Sequence, residues 1–358
     1  MKKFFLSIGI AAFCFGYFAS YIPYSMLTKM LTSGLLPGMN GQRMSGFVIL
    51  PMVATATFMA MYLYLTLSGW WKYATHRKIF GVSVPWPRWF TFVSGLCTAG
   101  VIVTTTLAYT FEGISIVFAM LLMRGGTLVI APIVDLIAVK RKRKIFWPSW
   151  VAAGLSLAAL FVTFSGKAGT ALTLVAIINI VCYIMSYFLR FFFMSNWAKS
   201  TDVDEKRGFF TEEQMVANPA FWVSIMVLAL IGAKMEPASF AGQLWVGLTQ
   251  FPFSGYLGYA FLIGIFSYGT GLFGSLIFLD RRENTFTVPA SRVSSVLAGV
   301  IGTYLLAIFY GSKFPGSDEL EALALIFAAI IFLSYHAVVE KKKKAKYTPK
   351  ELVRAVET

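Results

Sequence analysis

The chain of 358 residues is 58% hydrophobic and only 13% charged, and its formal net charge is +15. Soluble domains contain about 25% charged residues, so this composition excludes a soluble globular protein and indicates a chain that spans a membrane. The positive charge does not indicate a nucleic-acid-binding protein, because the basic residues cluster beside apolar segments, where they contact anionic lipid headgroups.

Ten apolar segments follow one another along the chain, and most reach the roughly 20 residues that a helix needs to cross a bilayer. Runs of this length exclude barrel strands, and a helix satisfies its backbone hydrogen bonds within one segment. The first segment follows two lysines, as a signal peptide would, but its apolar run is too long for one. The predicted spans cover residues 4–27, 46–67, 89–109, 114–139, 150–165, 170–197, 219–231, 257–279, 286–310 and 319–335.

The distribution of lysine and arginine predicts the orientation of these spans. With the N-terminus in the cytoplasm, 23 of the 31 basic residues fall on cytoplasmic segments, five on the opposite side and three within spans. Because orientation follows this bias, we expect an integral multi-pass protein of the plasma membrane, such as a bacterial inner membrane, with both termini cytoplasmic. The connection 198–218 and the polar tail 339–358 are then cytoplasmic, and the apolar stretch 244–253 is expected at the interface.

The sequence contains an internal repeat. A displacement of 168 residues aligns the fourth and fifth spans with the ninth and tenth without a gap, and it pairs Arg124 with Arg292, Ala131 with Gly299 and Phe164 with Phe332. Each half, 1–168 and 169–338, has five spans, and an odd number inverts the second half in the bilayer. Such repeats place a substrate site near the midplane, at their interface. We therefore predict an all-α membrane protein with ten transmembrane helices in two inverted five-helix repeats around a central cavity.

Three stretches carry a resemblance to a known family: AMLLMRGGTLVIAPIVD at 119–135 with the basic turn after it, PASRVSSVLAG at 289–299, and LIFAAIIFLSY at 325–335. With the ten-span pattern over about residues 4–335, the chain resembles the drug/metabolite transporter superfamily, which includes EamA-type exporters and nucleotide-sugar transporters. The resemblance implies that the third, fourth, eighth and ninth spans line a central cavity and that the fifth and tenth pack at the periphery.

Three arginines lie within spans, at positions 124, 190 and 292. A charge at the bilayer centre costs about 2.5–3.5 kcal/mol, so such a residue indicates a functional site. The guanidinium stays charged, and its fork matches carboxylate or phosphate. The three spans that carry these arginines offer only Asp135 and, just before the fourth span, Glu112, both towards span ends, so we expect at least one arginine to lack a counter-charge and to bind an anionic substrate. The alternatives are snorkelling or helix carbonyls, and Asp280 or Glu283 as the partner of Arg292.

A second pattern lies on the sixth span, where Asn179, Tyr183, Ser186 and Arg190 are spaced 4, 3 and 4 and share one helix face. The positions aligned with them in the first span are apolar, so the stripe breaks the repeat symmetry, as the site for an asymmetric substrate would. The alternative is a seam of interhelical hydrogen bonds. Tyr268 of the eighth span is a further candidate for substrate binding.

The remaining motifs favour structural roles. Glu112 opens the fourth span, where a carboxylate stabilises a helix N-terminus, and proton coupling is the alternative role. Asp135 is expected to pair with the basic run 140–144. The GTGLFG motif at 269–274 matches a dinucleotide pattern, but it lies within a span, where small residues allow close helix approach.

The sequence contains no pattern typical of an enzyme. The three cysteines lie singly in apolar runs, which predicts no disulfide and no metal site, and no catalytic constellation or cofactor motif is present. The leading hypothesis is a secondary transporter that moves a small or medium-sized, anionic metabolite by alternating access. Its partners are this substrate and the bilayer, without nucleic acid, and the protein is expected as a monomer or homodimer.

Two other functions remain open at this point. A flippase for a lipid-linked phosphate or sugar intermediate would use the same arginines, and it would show a lateral opening continuous with the arginine-lined cavity. A non-transporting subunit or receptor is disfavoured by the polar residues expected near the membrane midplane.

Overall fold

The structure is a computed structural model that describes residues 10–108, 116–137, 147–166, 174–198, 202–280, 284–317 and 320–332. Within these ranges the chain is almost entirely helical. The helices are α1 (Ile10–Ser33), α2 (Gly46–Ser68), α3 (Trp89–Ala108), α4 (Ile116–Ile137), α5 (Trp147–Gly166), α6 (Leu174–Trp197), α7 (Val203–Gly232), α8 (Phe240–Thr249), α9 (Leu257–Phe278), α10 (Asn284–Tyr310) and α11 (Leu320–Phe332).

Among the described residues, seven helices are long and apolar enough to cross a membrane. They are α1, α2, α3, α6, α7, α9 and the Ala290–Tyr310 part of α10. This confirms the prediction of an all-α, multi-pass membrane protein. Helices α4, α5 and α11 occupy the other predicted positions, and the number of ten transmembrane helices stays a prediction.

The seventh helix differs from the predicted one, because α7 begins at Val203 and not at residue 219. Its 30 residues correspond to about 45 Å, well beyond the ~30 Å hydrocarbon core. The Asp202 carboxylate caps it by accepting a hydrogen bond of 2.9 Å from the Asp204 backbone N–H. Residues 203–218, which the sequence assigns to a cytoplasmic connection, therefore form the first half of this helix, and most residues between Arg207 and Asn218 are buried.

A short β-hairpin joins α2 to α3 and was not predicted. After a 3₁₀ turn at Trp70–Tyr73, strand β1 (His76–Ile79) pairs antiparallel with β2 (Val82–Pro85). The loop is Phe80-Gly81, both with positive φ, as a two-residue hairpin turn requires. The apolar stretch predicted at the interface, 244–253, forms the end of α8 and a 3₁₀ turn.

Helix packing brings the two halves of the chain together. Helix α1 packs against α9 and α10, and α6 packs against α3 and α4. A Cβ at Gly264 of α9 would lie 2.6 Å from the Val53 carbonyl oxygen of α2, and one at Gly269 would lie 2.8 Å from the Ser20 hydroxyl of α1. The glycines of α9 thus permit the close helix approach that the 269–274 motif predicts.

Candidate functional site

A small cavity of about 50 Å³ lies between α1, α3, α4, α6 and α9. Its wall combines Tyr17, Tyr21 and Tyr187 with Arg124 and Arg190, and hydroxyl residues of α3 and α9 complete it. The third, fourth and eighth spans line the cavity, as the family resemblance implies. None of the lining residues comes from α10, so the ninth span does not line this cavity in the part of the chain that the structure describes.

Arg124 projects from α4 into this wall and is almost completely buried. Its two terminal nitrogens donate hydrogen bonds to the hydroxyls of Tyr183 on α6 and Tyr21 on α1. Its Nε atom has no hydrogen-bond partner. Both partners are tyrosine hydroxyls, and Arg124 has no carboxylate partner among the described residues, as the sequence predicts for at least one arginine.

Arg292 is less satisfied than Arg124. It is fully buried in α10, and none of its three guanidinium nitrogens has a hydrogen-bond partner. Its closest support is aromatic: the guanidinium carbon lies 4.8 Å from the ring centre of Tyr187 and 5.7 Å from that of Phe278. These two rings also line the cavity, so they lie beside both the cavity and Arg292. Asp280 does not pair with Arg292, and Glu283 lies outside the described residues.

Arg190 differs from both, because it has a carboxylate partner. Its Nε and one terminal nitrogen donate to the two oxygens of Glu213 on α7, at 2.9 and 2.8 Å. Glu213 is fully buried and also accepts hydrogen bonds from Ser94 and Thr98 of α3. A further hydrogen bond of 2.6 Å joins Arg190 to Ser275 of α9. The ion pair thus ties four helices together at one edge of the cavity.

The stripe on α6 is divided between the cavity and a helix seam. Tyr183 reaches Arg124, and Arg190 lines the cavity. Asn179 instead donates a hydrogen bond of 2.9 Å to the Thr104 carbonyl of α3, and Ser186 packs where a Cβ at Gly100 would meet its hydroxyl at 2.6 Å. The alternative of an interhelical hydrogen-bond seam therefore describes Asn179, and Ser186 packs closely against α3.

Tyr268 does not line the arginine cavity. It is buried on α9, with its ring centre 6.0 Å from that of Tyr64 on α2. Neither hydroxyl has a hydrogen-bond partner. The structure therefore places Tyr268 at the packed α2–α9 interface, away from the residues that surround Arg124.

Asp135 and Glu112 are the two remaining acids that the sequence analysis singled out. Asp135 accepts a hydrogen bond of 2.8 Å from Asn284, and Asn284 also donates to Ser195, so these side chains join α4, α10 and α6. The basic run 140–144 predicted to pair with Asp135 lies outside the described residues, as does Glu112. Among the residues that the structure describes, no group of three His, Cys, Asp or Glu side chains could hold a metal ion.

Sequence reasoning missed Glu213 and the tyrosines of α1. A displacement of 166 residues pairs Tyr17 with Tyr183, Tyr21 with Tyr187 and Tyr24 with Arg190. A displacement two residues shorter than the one used for the fourth and fifth spans would therefore have matched the polar stripe of α6 with a tyrosine stripe on α1. Both stripes are buried, and both contribute to the cavity wall.

No family model and no curated protein matches the chain. A solved structure described only as "Crystal structure of protein" is similar to it, with 13% sequence identity over 94% of this chain and 99% of that chain. The TM-score is 0.45. A likeness this distant carries no argument, so the function is inferred from the site.

Proposed function

We propose that this protein is a secondary transporter that moves a small or medium-sized anionic metabolite by alternating access, and that it is not an enzyme. The observation that carries the proposal is the pair of buried arginines, Arg124 and Arg292, without a carboxylate partner among the described residues. Arg190, in the same bundle, has such a partner. An uncompensated buried charge is costly, and an anionic ligand would supply the missing counter-charge.

The donors left unused indicate the chemistry of the ligand. Arg292 offers three nitrogens without partners and Arg124 offers its Nε atom. A guanidinium fork matches carboxylate or phosphate, and two arginines favour a doubly charged group, such as a phosphate monoester, or two carboxylates. Small-molecule sites usually measure about 300–1,000 Å³, so a cavity of about 50 Å³ must widen before it admits a metabolite. Helix movement around the cavity is the step that alternating access requires.

Helix packing supports an inverted repeat. An inverted repeat makes α1 equivalent to α6, α3 to α9 and α4 to α10. The contacts of α1 with α9 and α10 then have equivalents in the contacts of α6 with α3 and α4, and both sets are present. Arg124 and Arg292 each lie eight residues after the first residue of their helices. We therefore propose ten transmembrane helices in two inverted halves, as in the drug/metabolite transporter superfamily that the sequence resembles.

Cysteine labelling tests the orientation that this proposal requires. In a variant without the three native cysteines, Lys167→Cys and Lys313→Cys are expected to react with an impermeant maleimide added outside intact cells, because these positions fall on the external side. Lys142→Cys and Lys343→Cys should react only after permeabilisation. The reverse pattern would contradict both the orientation and the ten-span topology.

The position of a second cavity favours transport of a soluble metabolite over the flippase alternative. An apolar groove between α3 and α7 faces outwards from the bundle, and it shares no lining residue with the arginine cavity. A flippase needs a lateral opening that is continuous with the site of its headgroup. In the part of the chain that the structure describes, the groove does not provide one.

A thermal-shift screen of the purified protein tests the proposed substrate class. Phosphorylated metabolites are compared with their dephosphorylated forms at equal ionic strength. A ligand at 100 times its Kd adds about 2.7 kcal/mol to the free energy of unfolding, so a bound anion should clearly raise the midpoint temperature. Exchange of each stabilising compound is then measured in loaded proteoliposomes. Stabilisation by the neutral forms alone would contradict an anionic substrate.

A further inference from the structure

The apolar groove beside the hairpin is a large feature that the transport site does not use. It has a volume of about 790 Å³ and is formed by β2 and the residues after it, by α3 and by α7. Every residue that lines it is apolar. Trp86 and Trp89 at one end are about half-exposed, and Phe92 and Leu96 extend the exposed wall along α3. Because α3 and α7 are span-length helices, the groove faces the acyl chains of the surrounding lipid.

The hairpin at the end of this groove carries positive charge without local compensation. Lys72, Arg77 and Lys78 are exposed, and none of them forms an ion pair with a carboxylate among the described residues. The guanidinium carbon of Arg77 lies 5.8 Å from the ring centre of Trp86, which lines the groove. Arg88, by contrast, is neutralised by the buried Glu212. Arg77 therefore lies at the end of the apolar groove, and Lys78 follows it on the same strand.

The same hairpin also exposes apolar side chains. Phe80 at its tip is fully exposed, and 65% of the surface of Val82 is exposed. Exposed aromatic and aliphatic residues beside cations are typical of segments that lie in the headgroup layer of a membrane. Tryptophan is likewise enriched at that depth. The hairpin thus combines the two properties of an interfacial element, and the groove continues from it along the apolar part of the bundle.

We propose that this groove and the hairpin form a binding site for an anionic phospholipid. One acyl chain lies in the groove between β2, α3 and α7, and the lipid phosphate lies against Arg77 and Lys78. The cations select an anionic headgroup over a zwitterionic one, because each basic residue near an anionic membrane surface increases binding by about five-fold. The site is separate from the arginine cavity, and its occupancy does not depend on the transported substrate.

Quenching of tryptophan fluorescence by brominated lipids tests this site on the full-length protein in detergent. Brominated phosphatidylglycerol is expected to quench at a mole fraction about ten-fold lower than brominated phosphatidylcholine. Trp86→Phe with Trp89→Phe should remove this high-affinity component, because those two rings report on the groove. Arg77→Gln with Lys78→Gln should leave the two lipids equally effective.

The matched control is Arg43→Gln with Lys234→Gln, which removes two exposed basic residues from other parts of the surface and should preserve the preference. Three results would overturn the proposal. They are equal quenching of the wild-type protein by the two lipids, a preference that survives in Arg77→Gln with Lys78→Gln, and high-affinity quenching that persists without Trp86 and Trp89. High-affinity quenching without Trp86 and Trp89 would show that the lipid binds away from the groove.

Discussion

Arg292→Met is expected to raise the thermal stability of the ligand-free protein and to weaken its stabilisation by the anionic substrate. The wild-type guanidinium is fully buried and has no hydrogen-bond partner, with only the rings of Tyr187 and Phe278 beside it. Replacing a buried ion pair with apolar side chains of similar volume is often neutral or stabilising by about 1–4 kcal/mol, and an ion buried without a counter-charge should respond in the same direction. Binding should fall ten-fold or more, because a charge-assisted hydrogen bond contributes about 1.5–3 kcal/mol.

Arg124 should behave differently, although it belongs to the same proposed site. Arg124→Ala leaves the hydroxyls of Tyr21 and Tyr183 without their donor, so a gain in ligand-free stability is not expected. Its loss of ligand binding should again be ten-fold or more. Arg124→Lys should bind nearly as poorly as Arg124→Ala, because an ammonium group cannot reproduce the planar fork.

Thermal melts with and without the stabilising anion measure both quantities in one experiment. Lys234→Gln removes an exposed basic residue and serves as the control, with little change expected in ligand-free stability or in ligand binding. A destabilised Arg292→Met protein would show that the guanidinium has a structural partner. Wild-type ligand binding by both Arg292→Met and Arg124→Ala would remove the basis for an anionic substrate.

The positions of the helices were predictable from the sequence because the membrane imposes a simple rule. A span must be apolar over about 20 residues, and hydropathy reports this directly. The pairing of Arg124 with Arg292 was visible for a similar reason, since a charge is conspicuous in an apolar run. The scarcity of acids in the spans predicted that at least one arginine would lack a carboxylate partner, but it did not say which one.

Other features depended on tertiary contacts that hydropathy does not report. The acidic first half of α7 was predicted as a connection because its residues are polar, yet Glu212 and Glu213 are fully buried. Each has partners that are distant in sequence. Glu212 is held by Thr75, Arg88 and Thr91, and Glu213 by Arg190 and α3 hydroxyls. The hairpin carried only a weak signal, because Gly81 precedes the β-prone residues Val82 and Val84 but most residues of β1 are basic.

The expectation that Arg190 binds the substrate rested on the polar stripe of α6, and that stripe gave no sign that Glu213, placed by the sequence in the 198–218 connection, would reach Arg190. Its fork is filled by Glu213, and Ser275 accepts from the same terminal nitrogen. Arg190 still lines the cavity, so its predicted role in substrate binding remains to be tested. Breaking the ion pair in two ways separates the structural role from the binding role.

Glu213→Ala is expected to destabilise the protein by about 3–5 kcal/mol, because it leaves the Arg190 guanidinium buried without a counter-charge and the Ser94 hydroxyl without its carboxylate acceptor. Arg190→Met with Glu213→Met removes both charges and should recover most of that stability. Arg190→Met alone should resemble Glu213→Ala, since it leaves a buried carboxylate. The midpoint of thermal unfolding, measured for the three variants under one set of conditions, checks this order.

The stable double variant then decides what Arg190 does for the ligand. If the ion pair only joins α6 to α7, α3 and α9, the double variant should bind the anion with an affinity within about two-fold of the wild-type affinity. That limit corresponds to a change of less than about 0.5 kcal/mol in the binding free energy. We expect this result, because Glu213 and Ser275 already engage the guanidinium at hydrogen-bond distance. A ten-fold loss of affinity in a double variant of wild-type stability would contradict it and would assign Arg190 to the substrate. Such a loss would also mean that Glu213 must release Arg190 during transport, so the ion pair would open and close as the cavity fills and empties.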